Sequence, residues 1–432
     1  MRTLKYISFF VLMGCLLPLH AQMPKGKYGT FALTNGSIET VTKGIITNGT
    51  VIISNGKITA VGTNVQIPEG AEVIDCKGLW IYPGMIESGS RLGLFEFGQV
   101  AQATDVSEWG DVVPQMKALT AVNPNSASIP ITRVSGVTTA LTVPEGALFS
   151  GTASLINLHG YTPDQMYAGF DAVVLNYPRT GRRGQFDRRT DEEIKKTADK
   201  EISRLNEVWE KAVQYHKLDS TTKGKMQYYP EMQALLPVVR GEMTLMVDVN
   251  ASKDIESALK WVKDKKIRKV IFSGVAEGWR VANEIANANI PVLTGPVLDL
   301  PTREYDGYDK PYANAGLMKK AGVKVAIKTD SQNLNNRNLP YHAGFAAAYG
   351  MGREEALRAI TIVPAEIFGV DDKLGSIEQG KSATLFVCDG DPLETKTQVK
   401  HVFIEGWQIP MVSRQTLLYE EFLNREPGLK IN

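Results

Sequence analysis

Trp80-Ile81-Tyr82-Pro83-Gly84-Met85-Ile86-Glu87-Ser88-Gly89-Ser90-Arg91-Leu92-Gly93-Leu94 is apolar at its start and turns polar within one strand length. Trp80 to Ile86 reads as a strand. Residues two apart on a strand share a face, so Glu87, Gly89 and Arg91 are expected on one side. Working outward, apolar strand patterns recur at Thr138 to Val143, Ala172 to Leu175, Leu245 to Val249, Val270 to Phe272, Val292 to Leu293 and Val323 to Ile327. Helical patterns lie between several of them, such as Ile255 to Lys263, and another follows at Glu354 to Ile360. Strands alternating with helices imply a parallel sheet, and the length fits closure into a (β/α)8 barrel. Periodicity alone leaves a doubly wound open sheet as the alternative.

An insertion at about 161–229 interrupts this rhythm. It carries Arg179, Arg182, Arg183, Arg188 and Arg189, then a helix opened by a Thr190/Glu193 capping box. Ile194, Ala198, Ile202, Leu205 and Trp209 give that helix one apolar stripe. The segment reads either as a lid with an anion-attracting loop over the barrel mouth or as a solvated surface hairpin.

Both ends of the chain are β-rich. Thr47-Asn48-Gly49-Thr50 is a turn signal, and Asn55-Gly56 is a hairpin turn between Val51-Ile52-Ile53 and Lys57 to Val61. Strand patterns return at Ala383 to Cys388 and Val399 to Glu405, around the turn Asp389-Gly390-Asp391-Pro392. Neither end alone offers two packable sheets, so the ends are expected to pair into one discontinuous small β-sandwich. The expected organisation is a composite β domain (22–82 and 366–410), a barrel (83–365) and a tail (411–432).

Composition is ordinary for a globular chain of 432 residues, with 43% hydrophobic and 22% charged residues. The length exceeds what one core usually serves, which agrees with two units. A net charge of +1 gives no field that argues for nucleic acid or anionic membranes. Residues 1–21 read as a signal peptide: Arg2 and Lys5, an apolar run from Ile7 to Leu19, and Leu19-His20-Ala21 before Gln22. Export to the periplasm or medium follows. Leu12-Met13-Gly14-Cys15 also resembles a lipoprotein box, though apolar residues continue past Cys15. Nothing later is long and apolar enough to span a bilayer. Cleavage leaves Cys76 and Cys388, which read either as a pair or as two buried free thiols.

The Pro83 to Leu94 stretch resembles the opening strand of the amidohydrolase superfamily, Pro-Gly-x-Ile-Asp-x-His-x-His. The resemblance continues in order through Gly136-Val137-Thr138-Thr139-Ala140-Leu141 and Gly322 to Ser331. Thr361-Ile362-Val363-Pro364-Ala365 and Gly375 to Ala383 extend it, so that it covers roughly 29–410. The closest branch is that of the imidazolonepropionase-like and amide-deacylating members. The resemblance implies the barrel and hydrolysis of C–N bonds in amides or cyclic amidines by metal-bound hydroxide. The ion would be zinc or another divalent metal.

The ligand positions that this resemblance implies do not carry over. The two opening histidines fall on Gly89 and Arg91, the fifth-strand histidine on Asp248 and the sixth-strand one on Ser273. Asp330 alone matches. No cofactor is therefore expected. His159, His216, His342 and His401 remain after cleavage, and of these His342 opens the helix after Asp330 and reads as a binding candidate. Arg91 is expected to bridge Asp248 and Asp330 in a metal-free ion cluster, with Lys328 pointing the same way. Arg91 pointing out to solvent is the alternative. Glu87, Asn250 and Ser273 complete the binding candidates. Glu87, Asp248, Asp330 and Asn250 would suit calcium better than zinc, with Arg91 repelling it.

The expected function is that of an amidohydrolase-type protein with reduced or absent hydrolysis. Any residual catalysis would use Asp330 as base with Arg91 and Asp248 beside it. The alternative is a non-catalytic subunit that binds a small molecule, forms an oligomer or docks on an intact relative. Anionic glycans bound by Arg179 to Arg189 are a third reading, resting on charge alone.

Overall fold

The computed structural model describes residues 25–96, 100, 104–146, 148–181, 188–222, 227–332 and 334–425. The expected signal peptide, Arg182, Arg183 and the end of the tail lie outside the described residues. Among those described, no helix is long and apolar enough to cross a membrane.

The strands in chain order are β1 (Lys27–Tyr28), β2 (Phe31–Glu39), β3 (Ile45–Ser54), β4 (Lys57–Gly62), β5 (Glu72–Asp75) and β6 (Trp80–Pro83). The barrel strands follow as β7 (Met85–Ser90), β8 (Val137–Thr142), β9 (Phe149–Asn157) and β10 (Tyr167–Asn176). They continue with β11 (Thr244–Val249), β12 (Val270–Gly274), β13 (Val292–Thr294) and β14 (Val325–Ile327), and β15 (Leu385–Cys388), β16 (Val399–Ile404) and β17 (Trp407–Ile409) end the series.

The two chain ends do pair. One hydrogen-bonded sheet runs β1-β17-β16-β15-β6-β2-β3-β4, with β5 also on β2. It folds over on itself: β16 and β2 are three strand spacings apart, roughly 14 Å in a flat sheet. Yet the rings of Phe403 and Phe31 meet at 5.2 Å. The hinge lies in β2, whose first half pairs with β5 and whose second half pairs with β6. Asn55 and Gly56 both have positive φ and make the expected hairpin turn. Asn48-Gly49 is not a turn. It is an irregular point inside the continuous strand β3, with Gly49 opposite Gly36. Cys76 and Cys388 are buried free thiols, and burial pushes both up to about 12.

The Trp80 to Ile86 strand is two strands. β6 belongs to the small sheet and β7 to the barrel, and the chain crosses between them at Gly84. A Cβ there would lie 2.1 Å from Thr138 Oγ1, so only glycine fits this close approach.

The barrel sheet runs β7 to β14 in sequence order. All neighbours are parallel except β9, which is antiparallel to both β8 and β10. Its interior is packed: Ile86, Leu141, Leu155, Val174, Met246, Ile271, Leu293 and Ala326 meet there, with Phe368, Val370 and Leu374 in the same cluster. Between β14 and β7 the ring closes by other means than a regular ladder. Ile86 N–H donates to Ile360 O at 2.8 Å and Ile327 N–H to Ala359 O at 3.0 Å, so 359–360 is wedged between the two strands. Further along, Arg91 N–H donates to Ser331 O at 2.9 Å.

The 161–229 segment, of which 182–187 and 223–226 lie outside the described residues, is not a simple surface hairpin. It contains β10 and the helix Asp191–Thr222, which joins β10 towards β11. That helix buries Ile194, Ala198, Leu205 and Trp209, with Ile202 half-buried. Trp209 packs edge-on against Trp261 of the later helix Ser252–Asp264 at 5.5 Å. It is an outer-ring crossover helix. The capping box forms, with Thr190 N–H on Glu193 Oε2 at 2.7 Å and Glu193 N–H on Thr190 Oγ1 at 3.2 Å.

Candidate functional site

Polar residues gather where β7, β11, β12 and β14 end, the face at which barrels of this kind carry their sites. In β14 Ala326 faces the interior, and just beyond the strand Lys328 and Asp330 meet each other on the site. Likewise Met246 and Ile271 face inward and place Asp248 and Ser273 on the same side. Three separated segments thus deliver four residues, Asp248 and Ser273 by strand alternation and Lys328 and Asp330 from just after β14.

β7 departs from that alternation. Between Glu87 and Ser90 its pairing with β8 shifts by one residue, a bulge that opposes Glu87–Ser90 to Ala140–Thr142. Glu87 therefore does not share a face with Gly89 and Arg91, contrary to the sequence expectation. Ile86 faces the interior, and Glu87 turns into the seam between β7 and β14. Its carboxylate accepts Thr329 N–H at 3.0 Å and Gly89 N–H at 3.1 Å. Glu87 is fully buried, and burial raises its pKa to about 7 against the pull of those donors.

Beyond the bulge, Gly89 faces Lys328: a Cβ on Gly89 would lie 3.0 Å from Lys328 Cδ. Lys328 is 3% exposed. Its Nζ donates to Ser273 Oγ at 2.9 Å and to Asp330 Oδ1 at 3.2 Å. Arg91 Nη1 is paired with the same Asp330 Oδ1 and donates to the Asp330 backbone oxygen at 3.2 Å. Asp330 itself sits at φ 54, a left-handed conformation that few side chains adopt without cost. Burial opposes its charge, but Lys328 and Arg91 outweigh burial and hold its pKa below the usual value.

Asp248 is not a partner of Arg91, which corrects the expected three-residue cluster. Arg91 instead places Nε 2.6 Å from Glu145 Oε1, a residue of the loop after β8. Asp248 accepts from Asn250 Nδ2 at 3.2 Å, and Asn250 Oδ1 in turn accepts Ala276 N–H at 3.4 Å. Burial raises the pKa of Asp248; the charges of Lys328, Arg179 and Arg91 offset this only in part.

His342 does not join the cluster. It is buried, its Nδ1 accepts Val297 N–H at 3.1 Å, and burial lowers its pKa to about 4. It braces the chain after β13. His159 tilts on Trp407 of the small sheet, with its pKa also lowered to about 4 by burial and by Arg133.

A second polar knot was not foreseen. Glu277, after β12, accepts from Arg303 through Nε and Nη2, from Thr302 Oγ1 and from Ser252 N–H. Burial works against its charge, but these donors win and hold its pKa at about 2. The knot ties the loop after β13 to the barrel rim. Among the described residues, no group of three or more His, Cys, Asp and Glu comes together as a metal site.

Residues 302–409 match the model of the amidohydrolase family. The chain is 22% identical to the amidohydrolase tasK of Hapsidospora irregularis, over 83% of its own length but only 39% of that protein's. It is 24% identical to an imidazolonepropionase of Mesorhizobium japonicum, over 84% of this chain and 93% of the relative. A crystal structure of an amidohydrolase from Thermotoga maritima superposes with a TM-score of 0.78 at 23% identity, covering 89% of this chain and all of the other. The barrel, the folded-over sheet that both chain ends build and these likenesses agree: the chain has the amidohydrolase fold, and its residues 302–409 are similar in sequence to the amidohydrolase family.

Proposed function

We propose that this protein binds a small amide or cyclic-amidine ligand at the barrel mouth and hydrolyses it weakly or not at all, with no divalent ion in the site. The C–N-hydrolysing character of the superfamily supplies the ligand class. The residues present do not fit the ion. A zinc-type site needs neutral imidazoles, carboxylates or thiolates converging on one point. Here the matching positions hold Gly89, Arg91, Asp248 and Ser273, and the Lys328 ammonium is hydrogen-bonded between Ser273 and Asp330. Two fixed cations at this distance repel a third.

The observation that carries the reading is the clamp on Asp330. A general base must be free to take a proton at working pH. Asp330 is shared by Arg91 and Lys328, its pKa is depressed, and both cations would have to yield before it accepted a proton. That favours binding over acid–base turnover. The test pairs elemental analysis with turnover on a panel of amides, lactams and N-acetyl compounds, with and without added zinc. Less than one ion per chain and no zinc-stimulated turnover are expected. One ion per chain together with zinc-dependent hydrolysis would refute the proposal.

A further inference from the structure

We propose that Lys328 is the resident cation of this site, a tethered positive charge that excludes a divalent ion, and that Gly89 is the space kept open for it. The inference deepens the metal-free reading above and rests on it. Three observations meet in Lys328. Its ammonium bonds the two residues that face it from β12 and from the end of β14, Ser273 at 2.9 Å and Asp330 at 3.2 Å. Its stem passes over Gly89 so closely that a Cβ would sit 3.0 Å from Cδ, tighter than side chains normally pack. It is 3% exposed, so it is not a surface lysine with its head in water.

The chemistry of an ammonium differs from that of an ion in a way that bears on function. Lysine carries three N–H donors, and among the described residues Ser273 and Asp330 accept two. The third suits a carbonyl or carboxylate oxygen of a ligand, as a fixed donor does in an oxyanion hole. An ammonium does not coordinate water, so it makes no hydroxide near neutral pH as a bound metal does. The site thus keeps the oxygen-binding half of metal chemistry and lacks the half that supplies a nucleophile.

Gly89 and Lys328 are then mutually dependent, and zinc affinity measured across a double-mutant cycle tests the pair. In Gly89→His the stem and charge of Lys328 remain, and zinc affinity should match that of the wild type. In Gly89→His with Lys328→Ala, an imidazole has room beside Asp330 and Asp248, and zinc should bind at least about tenfold more tightly than to either single variant. Equal zinc affinity in Gly89→His and in the double variant would overturn the proposal, because Lys328 would then not be in the way.

Should circular dichroism show the double variant unfolded, Lys328→Met removes the charge and keeps the volume. It must raise zinc affinity at least about tenfold over wild type, and an unchanged affinity overturns the proposal equally. The outcomes separate the two levels of argument. A wild-type protein that holds zinc sinks the metal-free reading itself, whereas a metal-free wild type with no gain in these variants sinks only the role of Lys328.

Discussion

Replacing Glu87 by glutamine should remove a pH dependence of stability that the wild type carries. Glu87 is fully buried in the seam that closes the barrel, and its pKa is raised from 4.5 to about 7. Burial is the largest cause, while the N–H groups of Thr329 and Gly89 and the charge of Lys328 pull the other way. A raised pKa in a folded acid means that folding favours the protonated form. Stability from this group is therefore full below about pH 4.5 and is lost as pH rises towards 7. A difference of roughly 2.5 pH units corresponds to about 3 kcal/mol.

In Glu87→Gln the amide oxygen, at the Oε1 position, still accepts both backbone N–H groups. Urea unfolding of both proteins at about pH 4.5 and about pH 7.5 gives the comparison. The wild type should lose about 3 kcal/mol more than the variant across that interval. Asp248, Asp330 and Glu277 titrate in both proteins, so their contributions largely cancel in the difference. Parallel pH profiles for the two proteins would show that Glu87 is ionised throughout and that its burial has been misjudged.

Three further outcomes are expected. Gly84→Ala drives a Cβ into the buried Thr138 hydroxyl and should lower stability by about 1–3 kcal/mol in urea unfolding; an unaffected midpoint would mean the junction between sheet and barrel yields easily. Arg303→Ala leaves the buried Glu277 carboxylate without its two-pronged partner and should cost about 3–5 kcal/mol. Amide exchange should speed up first in the loop after β13, and uniform protection there would contradict the knot. Export with cleavage after Ala21, proposed from the first residues alone, predicts a mature N-terminus at Gln22 by mass spectrometry. A mature protein that begins at Met1 would dismiss it.

Most of the barrel was legible because seven of its strands hold or adjoin short apolar runs. β9 was not. Its nine residues are all buried, but Ser150, Gly151, Thr152 and Ser154 give it the composition of a loop. Their hydroxyls are satisfied inside the fold: Ser150 donates to Pro144 O, Thr152 to Pro114 O and Ser154 to Asp171. Tertiary hydrogen bonds replace the apolar content that a local reading looks for. The helix Asp191–Thr222 was read correctly as amphipathic but misplaced, because charge on its outer face says nothing about which surface its inner face covers.

The site divides along the same line. Asp248 and Ser273 were legible because alternation on β11 and β12 fixes their direction, and Lys328 and Asp330 because they directly follow β14. Glu87 was misdirected because a bulge reverses alternation, and no residue type announces this one: Ser88 and Gly89 occur in straight strands as well. Glu145 and Glu277 were missed because they lie in loops, where no period constrains direction and only the partner reveals the role. That Gly89 and Arg91 stand where the superfamily pattern has histidines was legible in the sequence, but nothing there indicates what faces them. What the structure adds is a close approach. A glycine on β7 and a lysine after β14, 239 residues apart, share one volume, and neither makes sense without the other. Random decay of a metal site would leave carboxylates facing empty or water-filled space. On the metal-free proposal, a buried cation bonded to Ser273 and Asp330 in that space fits an interior organised around charge neutrality, since an unpaired buried carboxylate is costly.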